Sequence, residues 1–305
     1  MLLLWELFTM IINFPDKLKS NIEGYQFLSN IYHQASIAKG NVIYFNLENL
    51  TFIEANLCAV IGTLVEMIER IKKTVLFSNI SKRVEEILRK NDFLINFGFD
   101  PLDDRYNTTV RYKRFNPKLN AHDQLFHSYL QDELLGKKDF PSHSQQLGKK
   151  LRQSIFELYE NARTHGSCNY IHACGQYFPQ TDNKGLNMTI VDTGINFEDN
   201  VSKFLNVEMG SVQALEWAIQ HGNTTKSGPS PGGLGLAFIM EFIKKNGGEI
   251  QIVSSDGYLQ LANNEIFSTK LNSKFYGTIA NLKFNLNDTS HYYLLSELDN
   301  ENVIF

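Results

Sequence analysis

Gln153-Ser-Ile-Phe-Glu-Leu-Tyr-Glu-Asn-Ala-Arg-Thr-His-Gly166 has the spacing of an amphipathic helix. With Leu151 just ahead of it, Ile155, Leu158 and Ala162 recur on one face. Glu157 and Asn161, four apart, share a neighbouring face. A carboxylate one turn from a carboxamide, both beside a buried stripe, suits a helix that lines a polar pocket. Glu157 could take a proton from water, and Asn161 could offer its carbonyl oxygen to a hard cation such as Mg²⁺. The same pair on a solvated helix face is the commoner arrangement, so the weight falls on the residues downstream.

Two strand-like runs come next, Asn169 to Phe178 and Leu186 to Val191, the second ending at Asp192-Thr-Gly-Ile-Asn196. An aspartate at a strand end beside a glycine can set its carboxylate at a base edge while the backbone passes close by. By itself, Asp-x-Gly is a turn. Phe197 to Gln220 is long enough to form a lid. His221-Gly-Asn-Thr-Thr-Lys-Ser-Gly-Pro-Ser-Pro-Gly-Gly-Leu-Gly-Leu236 then leads into a helix with the stripe Leu236, Ile239, Met240 and Ile243. Asn246 and Gly247 supply the stop for that helix. A glycine-rich loop feeding a helix N-terminus favours anions, through bare N–H groups and the helix dipole. Read alone it is equally a flexible surface loop. Phe275 to Phe284 adds a glycine-threonine turn, Gly277-Thr278, into a last strand.

In this order, Glu-x-x-x-Asn-Ala, Asp-x-Gly, Gly-Gly-Leu-Gly-Leu and Gly-Thr resemble the ATP-binding domain of the GHKL superfamily. That superfamily holds gyrase, chaperone ATPases, histidine kinases and MutL-type repair proteins. The resemblance covers roughly residues 120 to 286. It implies a Bergerat-type α/β sandwich, with mixed strands in one layer and three helices in the other. It implies that Asn161 binds Mg²⁺, that Asp192 accepts from the adenine amino group, and that Gly194 lets the backbone approach the base. Gly232, Gly233, Leu234, Gly235 and Leu236 would wrap the phosphates, and Thr278 would close the far side of the adenine site. Thr224-Thr-Lys226 resembles the segment before the last glycine box of histidine kinases. Thr225 then becomes a nucleotide contact and Lys226 the candidate for the terminal phosphate. Glu157 falls at the general-base position of the hydrolysing and serine-kinase members. The chain departs from the pattern at Asn196, where the family has a glycine, and at Thr164, where many kinases have a basic residue.

Upstream, residues 1 to 98 alternate strand and helix signals with short joints, which argues for parallel pairing and an α/β domain. Asn41 to Leu47 and Thr74 to Ser78 read as strands. Leu57, Val60, Ile61, Leu64, Val65 and Ile68 mark one helix, with Glu66, Glu69, Arg70 and Lys72 outward, and Val84, Ile87 and Leu88 mark another. Asn46-Leu-Glu-Asn-Leu-Thr-Phe-Ile-Glu-Ala-Asn-Leu57 resembles the strand-to-helix turn of a STAS domain, the fold of anti-anti-sigma factors. Members usually carry Asp-Ser-Ser-Gly there, whose serine accepts phosphate. Here the residues are Glu54, Ala55, Asn56 and Leu57, without a hydroxyl, so phosphorylation at that turn is excluded chemically. The expected role is a docking or sensing module, with the Leu57 to Lys72 helix as its contact face.

The expected organisation is thus a STAS-like module at 1–98, a connecting helical segment at 99–140 and an ATP-binding domain at 141–305. The 99–140 segment is punctuated by prolines 101 and 117, with a helix over Asp123 to Leu135. His122-Asp123 invites comparison with a phosphoacceptor helix, but the Thr-Pro signature is absent and an exposed helical histidine accounts for it. At 305 residues two domains are expected, and 43% apolar residues place the chain among ordinary globular proteins. A formal charge of −4 gives no general attraction to nucleic acid or anionic lipid. The basic residues Arg111, Lys113 and Arg114 read as a solvated face. Three cysteines suit a reducing compartment. His165, Cys168, His172 and Cys174 are zinc-ligand types, yet their spacing fits no standard finger and strand burial explains them better. The apolar opening Met1 to Ile12 falls short of the ~20 residues of a membrane helix and reads as a strand or docking element. A cytoplasmic location is expected, and Asn302 to Phe305 reads as a closing strand or frayed end.

Three functional readings stand. The first is an ATP-dependent regulatory switch of bacterial signalling, with Mg-ATP hydrolysis or protein kinase activity coupled to a fused STAS-like module that meets a protein partner. The second is a non-catalytic, ATP-gated binding module. The third, a histidine kinase, lacks a convincing phosphoacceptor helix. Oligomeric state stays open, a homodimer included.

Overall fold

The computed structural model describes residues 9–137, 139–165, 168–179, 184–225 and 235–298. It is a mixed α/β structure with one parallel and one antiparallel sheet of three or more strands. In the N-terminal part, β1 (Thr9–Asn13), β3 (Val42–Asn46) and β5 (Thr74–Ser78) pair in parallel in the order β1-β3-β5. Parallel neighbours need crossovers, and α1 (Ile22–Ile37) and α2 (Cys58–Arg70) supply them. Each is preceded by one strand of a short parallel pair, β2 (Lys17–Leu18) and β4 (Phe52–Ile53). Asn21 caps α1, its side chain accepting from the Gly24 N–H at 2.9 Å. A third helix, α3 (Lys82–Lys90), follows β5.

The larger sheet is antiparallel with strand order β6-β7-β8-β10-β9. Its strands are β6 (Thr109–Phe115), β7 (Ile171–Phe178), β8 (Gly185–Asp192), β9 (Glu249–Ala262) and β10 (Glu265–Asn285). An antiparallel sheet commonly has one face in water. Here both faces are covered, and β8 is buried from Gly185 to Val191. On the front, Ala173, Met188, Ile190, Ile252 and Leu282 share a core with α5 (Gln145–His165) and α8 (Gly235–Asn246). On the back, Cys174, Val191, Val253, Phe275 and Ile279 belong to the core of the N-terminal part, beneath α1 and α2.

This back-face packing explains the composition of α2, which buries ten of its thirteen residues. Its helix sits between two sheets, touching β5 on one side and β7 and β8 on the other. Gly62 lets it come close. A Cβ there would stand 2.2 Å from the Tyr112 hydroxyl oxygen. The Glu54–Leu57 turn at the head of α2 lies in the same interface, and Ala55, Asn56 and Leu57 are fully buried. Asn56 Nδ2 reaches Ser20 Oγ, Thr189 Oγ1 and Asn281 Oδ1, while the Ala55 N–H donates to Gln176 Oε1 at 2.7 Å. Tyr25 and Gln251 complete a buried polar layer, joined at 3.0 Å. Most polar groups withdrawn from water are thereby partnered across the interface, with Asn56 Oδ1 the exception.

Several expectations change. The 99–140 segment is more than a helical connection, since it contributes β6 as an edge strand of the large sheet as well as α4 (Asn120–Tyr129). A π-helical turn over Leu130–Leu135 continues α4. The outer edge of β6 is closed: the Tyr112 N–H donates to Asn91 O, and Tyr129 OH donates to Arg111 O. Helix α1 and strand β9 lay outside the sequence reading, and β10 runs for 21 residues, well beyond the Phe275 to Phe284 run. The boundary at 98 separates two sheets but not two hydrophobic cores. His122 is half-buried, with Nδ1 accepting from the Asn116 N–H at 3.0 Å, so it ties a turn together. Of the apolar opening, residues 9 to 13 form β1, and the rest, like Asn302 to Phe305, lies outside the described residues. Among the described residues no helix is long and apolar enough to cross a membrane.

Candidate functional site

A cleft of about 980 Å³, its open mouth included, lies on the front of the large sheet between α5 and the ends of β8 and β10. Helix α5 brings Glu157 and Asn161 to one wall, and β8 ends there at Asp192. Thr278 comes from β10, directly across the ladder from Asp192 on one side and Ser254 on the other. Leu236 opens from α8, and Thr225 closes the segment that precedes it. The wall facing α5 is a pair of helices, α6 (Phe197–Leu205) and α7 (Ser211–Ala218), so the expected lid region is helical.

Asp192 has an unusual environment for a carboxylate. Burial pushes its carboxyl up to about 7, and only the Gly194 N–H, donating to Oδ1 at 2.7 Å, pulls the other way. An acceptor in that setting favours a ligand that brings an N–H donor. Gly277 explains how β10 gets so close: it has φ +140°, and a Cβ there would lie 1.9 Å from the Asp192 carbonyl oxygen. The glycine of the Gly-Thr pair is thus dictated by backbone against backbone.

Glu157 is held rather than loose. Its Oε2 accepts from the Gly235 N–H at 3.0 Å, satisfying a donor in the first turn of α8. A Cβ on Gly235 would fall 2.5 Å from the Glu157 carboxyl carbon, so that glycine permits the approach. On the wall facing α5, Asn196 caps α6 by accepting from the Asp199 N–H at 2.9 Å. The departure from glycine at 196 therefore has a local cause, because a helix begins there. Asn200 Nδ2 donates to Thr225 Oγ1 at 2.8 Å and ties α6 to the segment beneath.

Of the residues singled out from the sequence, Glu157, Asn161, Asp192, Thr225, Leu236 and Thr278 line this one cleft. Gly194 and Gly235 adjoin it through their bonds to Asp192 and Glu157. Lys226, Gly228, Gly232, Gly233 and Leu234 lie outside the described residues, as do the side chains of Thr164 and His165. Asn200 and Trp217 line the cleft without a sequence signal, and Ser254 supports Thr278 beside it. Ser254 Oγ sits 3.1 Å from Thr278 Oγ1 and accepts from the Phe197 N–H at 3.0 Å, linking the start of α6 to the sheet. Its signal is the β9–β10 register, which no local pattern reveals.

Of the zinc-ligand types, His172, Cys168 and Cys174 behave as interior groups. His172 lies between Tyr112 and Glu66, Cys168 is buried beneath the end of α5 with its thiol toward Ala162 O, and Cys174 sits in the interface with α2. Burial raises the Cys168 thiol to about 12. Among the described residues, no group of three or more His, Cys, Asp or Glu side chains could hold a metal ion. In comparison with known proteins, no family model matches the chain and no curated protein matches it.

Proposed function

We propose that the chain is an ATP-binding regulatory protein of the GHKL type, whose N-terminal part is a STAS-like module docked on the back of the nucleotide-binding sheet. The observation that carries this reading is the convergence of Glu157, Asn161, Asp192, Thr225, Leu236 and Thr278 on one cleft. Those residues come from separate elements, and the spacing of any one motif does not force them together.

In this reading Asp192 accepts from the exocyclic amine of adenine at the inner end of the cleft. GTP presents a carbonyl there, which leaves a buried carboxylate facing an acceptor and costs ~1–3 kcal/mol or more. The hard oxygen donors on α5 suit Mg²⁺, which keeps most of its water and takes one or two protein ligands besides phosphate. Asn161 would hold it, and the ion when bound would offset phosphate charge. Glu157 stands where a base would take a proton from an attacking water. The STAS-like module has a buried, hydroxyl-free turn at Glu54–Leu57 and so acts by contact, not as a phosphate acceptor.

One observation favours the second reading, a binding module that closes on ATP without consuming it. The Glu157 carboxylate already serves the Gly235 N–H, a structural duty that needs no chemistry. Calorimetric titration with ATP and GTP, followed by product analysis, decides between them. ATP should bind in a Mg²⁺-dependent way that Asn161→Ala abolishes, and GTP should bind at least tenfold more weakly, the equivalent of ~1.4 kcal/mol. Glu157→Gln keeps an oxygen for the Gly235 N–H, so it should spare binding and cut hydrolysis by ~10²–10⁴-fold. ATP binding without turnover in the wild type would leave the binding module, and no ATP binding would defeat both.

A further inference from the structure

Arg70, in the last turn of α2, reaches across the interface to the strand end that carries Asp192. Its Nη1 donates to Thr193 Oγ1 at 3.3 Å. This is not a freely swinging surface arginine, because its other nitrogen is paired with Glu66 Oε1 one turn earlier in the helix. Glu66 is itself anchored. Its Oε2 lies 2.8 Å from His172 Nε2, and His172 Nδ1 lies 2.8 Å from Tyr112 OH. An ionised carboxylate only accepts, so Nε2 carries the hydrogen, and Nδ1 accepts from the tyrosine. Burial alone would raise the Glu66 carboxyl, but His172 and Arg70 outweigh it and hold the group below the usual carboxylate range. His172 pairs with Val191 in the β7–β8 ladder, so the anchor and the Asp192 turn stand on neighbouring strands.

The side of that turn toward β10 is closed. An added Cβ on Gly277 would lie 2.8 Å from Thr193 Cα as well as against the Asp192 carbonyl. The turn is therefore gripped between the β10 backbone and a guanidinium that belongs to the N-terminal part.

The geometry points to Arg70 as a positioning residue for Asp192, through Thr193, and to the N-terminal part as the element that sets affinity and base selectivity at the cleft. This rests on the reading of the cleft as an adenine-nucleotide site. The coupling is reciprocal: whatever shifts α2 changes nucleotide affinity, and nucleotide binding steadies the last turn of α2 by the same free energy.

The test uses the full chain and calorimetric titration with ATP, ADP and GTP. Arg70→Ala and Thr193→Val should each weaken ATP and ADP by the same factor, roughly three- to tenfold, as for loss of one hydrogen bond. Both should narrow the gap between ATP and GTP. The double variant should be no weaker than the worse single one, because the contact between Arg70 and Thr193 is already lost in either single variant. Thr193→Ser, which keeps the hydroxyl, should bind as the wild type does. Hydrogen exchange in the last turn of α2 should slow on adding ATP to the wild type and not in Thr193→Val. A merely structural contact would leave selectivity and the ATP-dependent protection unchanged. Wild-type affinities in both single variants, or losses that add in the double, would overturn the inference while leaving the adenine site standing. If the wild type binds no adenine nucleotide, the reading of the cleft falls first and takes this inference with it.

Discussion

At Asp192 the raised carboxyl has consequences for both folding and binding. Its folded value of about 7 stands above the ordinary ~3.9 of an aspartate, so the folded state holds the proton more tightly than the unfolded chain. The stabilisation from that proton is complete below about pH 4 and is lost as the pH rises through about 7. An amine donor at the carboxylate favours the ionised form, so a nucleotide that engages Asp192 should expel a proton. Titration of ATP near pH 6.5, ~half a unit below the raised value, in buffers of different ionisation enthalpy should therefore report proton release. Affinity should fall on acidification, and Asp192→Asn should abolish the proton release. Buffer-independent heats in the wild type would mean that the carboxyl does not meet the ligand. Gly235 and Gly277 belong to this scale too, since each is a glycine because a carboxylate or a carbonyl occupies the place of its Cβ.

Helix α2 shows how one element joins the two parts. Tyr112 packs edge-on against Phe93, with ring centroids 5.1 Å apart, and its hydroxyl lies over Gly62. Alanine at 62 would be the better helix former by ~1 kcal/mol, so propensity predicts stabilisation. Packing predicts the reverse, because the tyrosine ring is buried and cannot swing away without losing His172. Gly62→Ala should destabilise the chain by ~1–3 kcal/mol in urea unfolding. Adding Tyr112→Phe, which removes the obstructing oxygen, should recover part of that loss. A Gly62→Ala variant as stable as the wild type would show that α2 does not sit this close to β6. Helices α6 and α7 are the contrasting case, for α6 starts at an asparagine cap at the position where the family resembled has a glycine.

For the whole molecule, the decisive feature is that the back face of the large sheet has no core of its own. Cys174, Val191, Val253, Phe275 and Ile279 are buried by residues from the first hundred positions. Chains above ~150 residues with independent domains commonly unfold in more than one step. Here the shared core predicts one transition: far-UV circular dichroism and hydrogen exchange in β3 and β8 should report the same midpoint. A fragment starting at residue 99 should expose that apolar face, bind a hydrophobic dye and aggregate. Two separate transitions, or a well-behaved fragment, would mean that the interface contributes little.

Short-range regularities made much of this legible in the chain. The 3.6-residue repeat of Leu151, Ile155, Leu158 and Ala162 specified α5, and β5 falls where Thr74 to Ser78 promised it, because periodicity and local propensity act over neighbouring residues. The relation of Glu157 to Asn161 was legible for the same reason. What the tertiary structure alone decided is everything that depends on partners distant in sequence. Strand β6 hid in a polar segment because its alternation is broken by a shifted register and its edge is closed by Asn91 and Tyr129. Ser254 reached Thr278 and the start of α6 only through pairing with β10, and Arg70 reached Thr193 only because α2 lies against β7 and β8. The turn at Glu54–Leu57 was legible only as a STAS-like turn without its hydroxyl, and burial against Gln176, Thr189 and Asn281 makes it an interface. Sequence spacing encodes which face of an element is apolar, but not which other face will cover it. That second choice is made by the free energy of excluding water between surfaces brought together by folding.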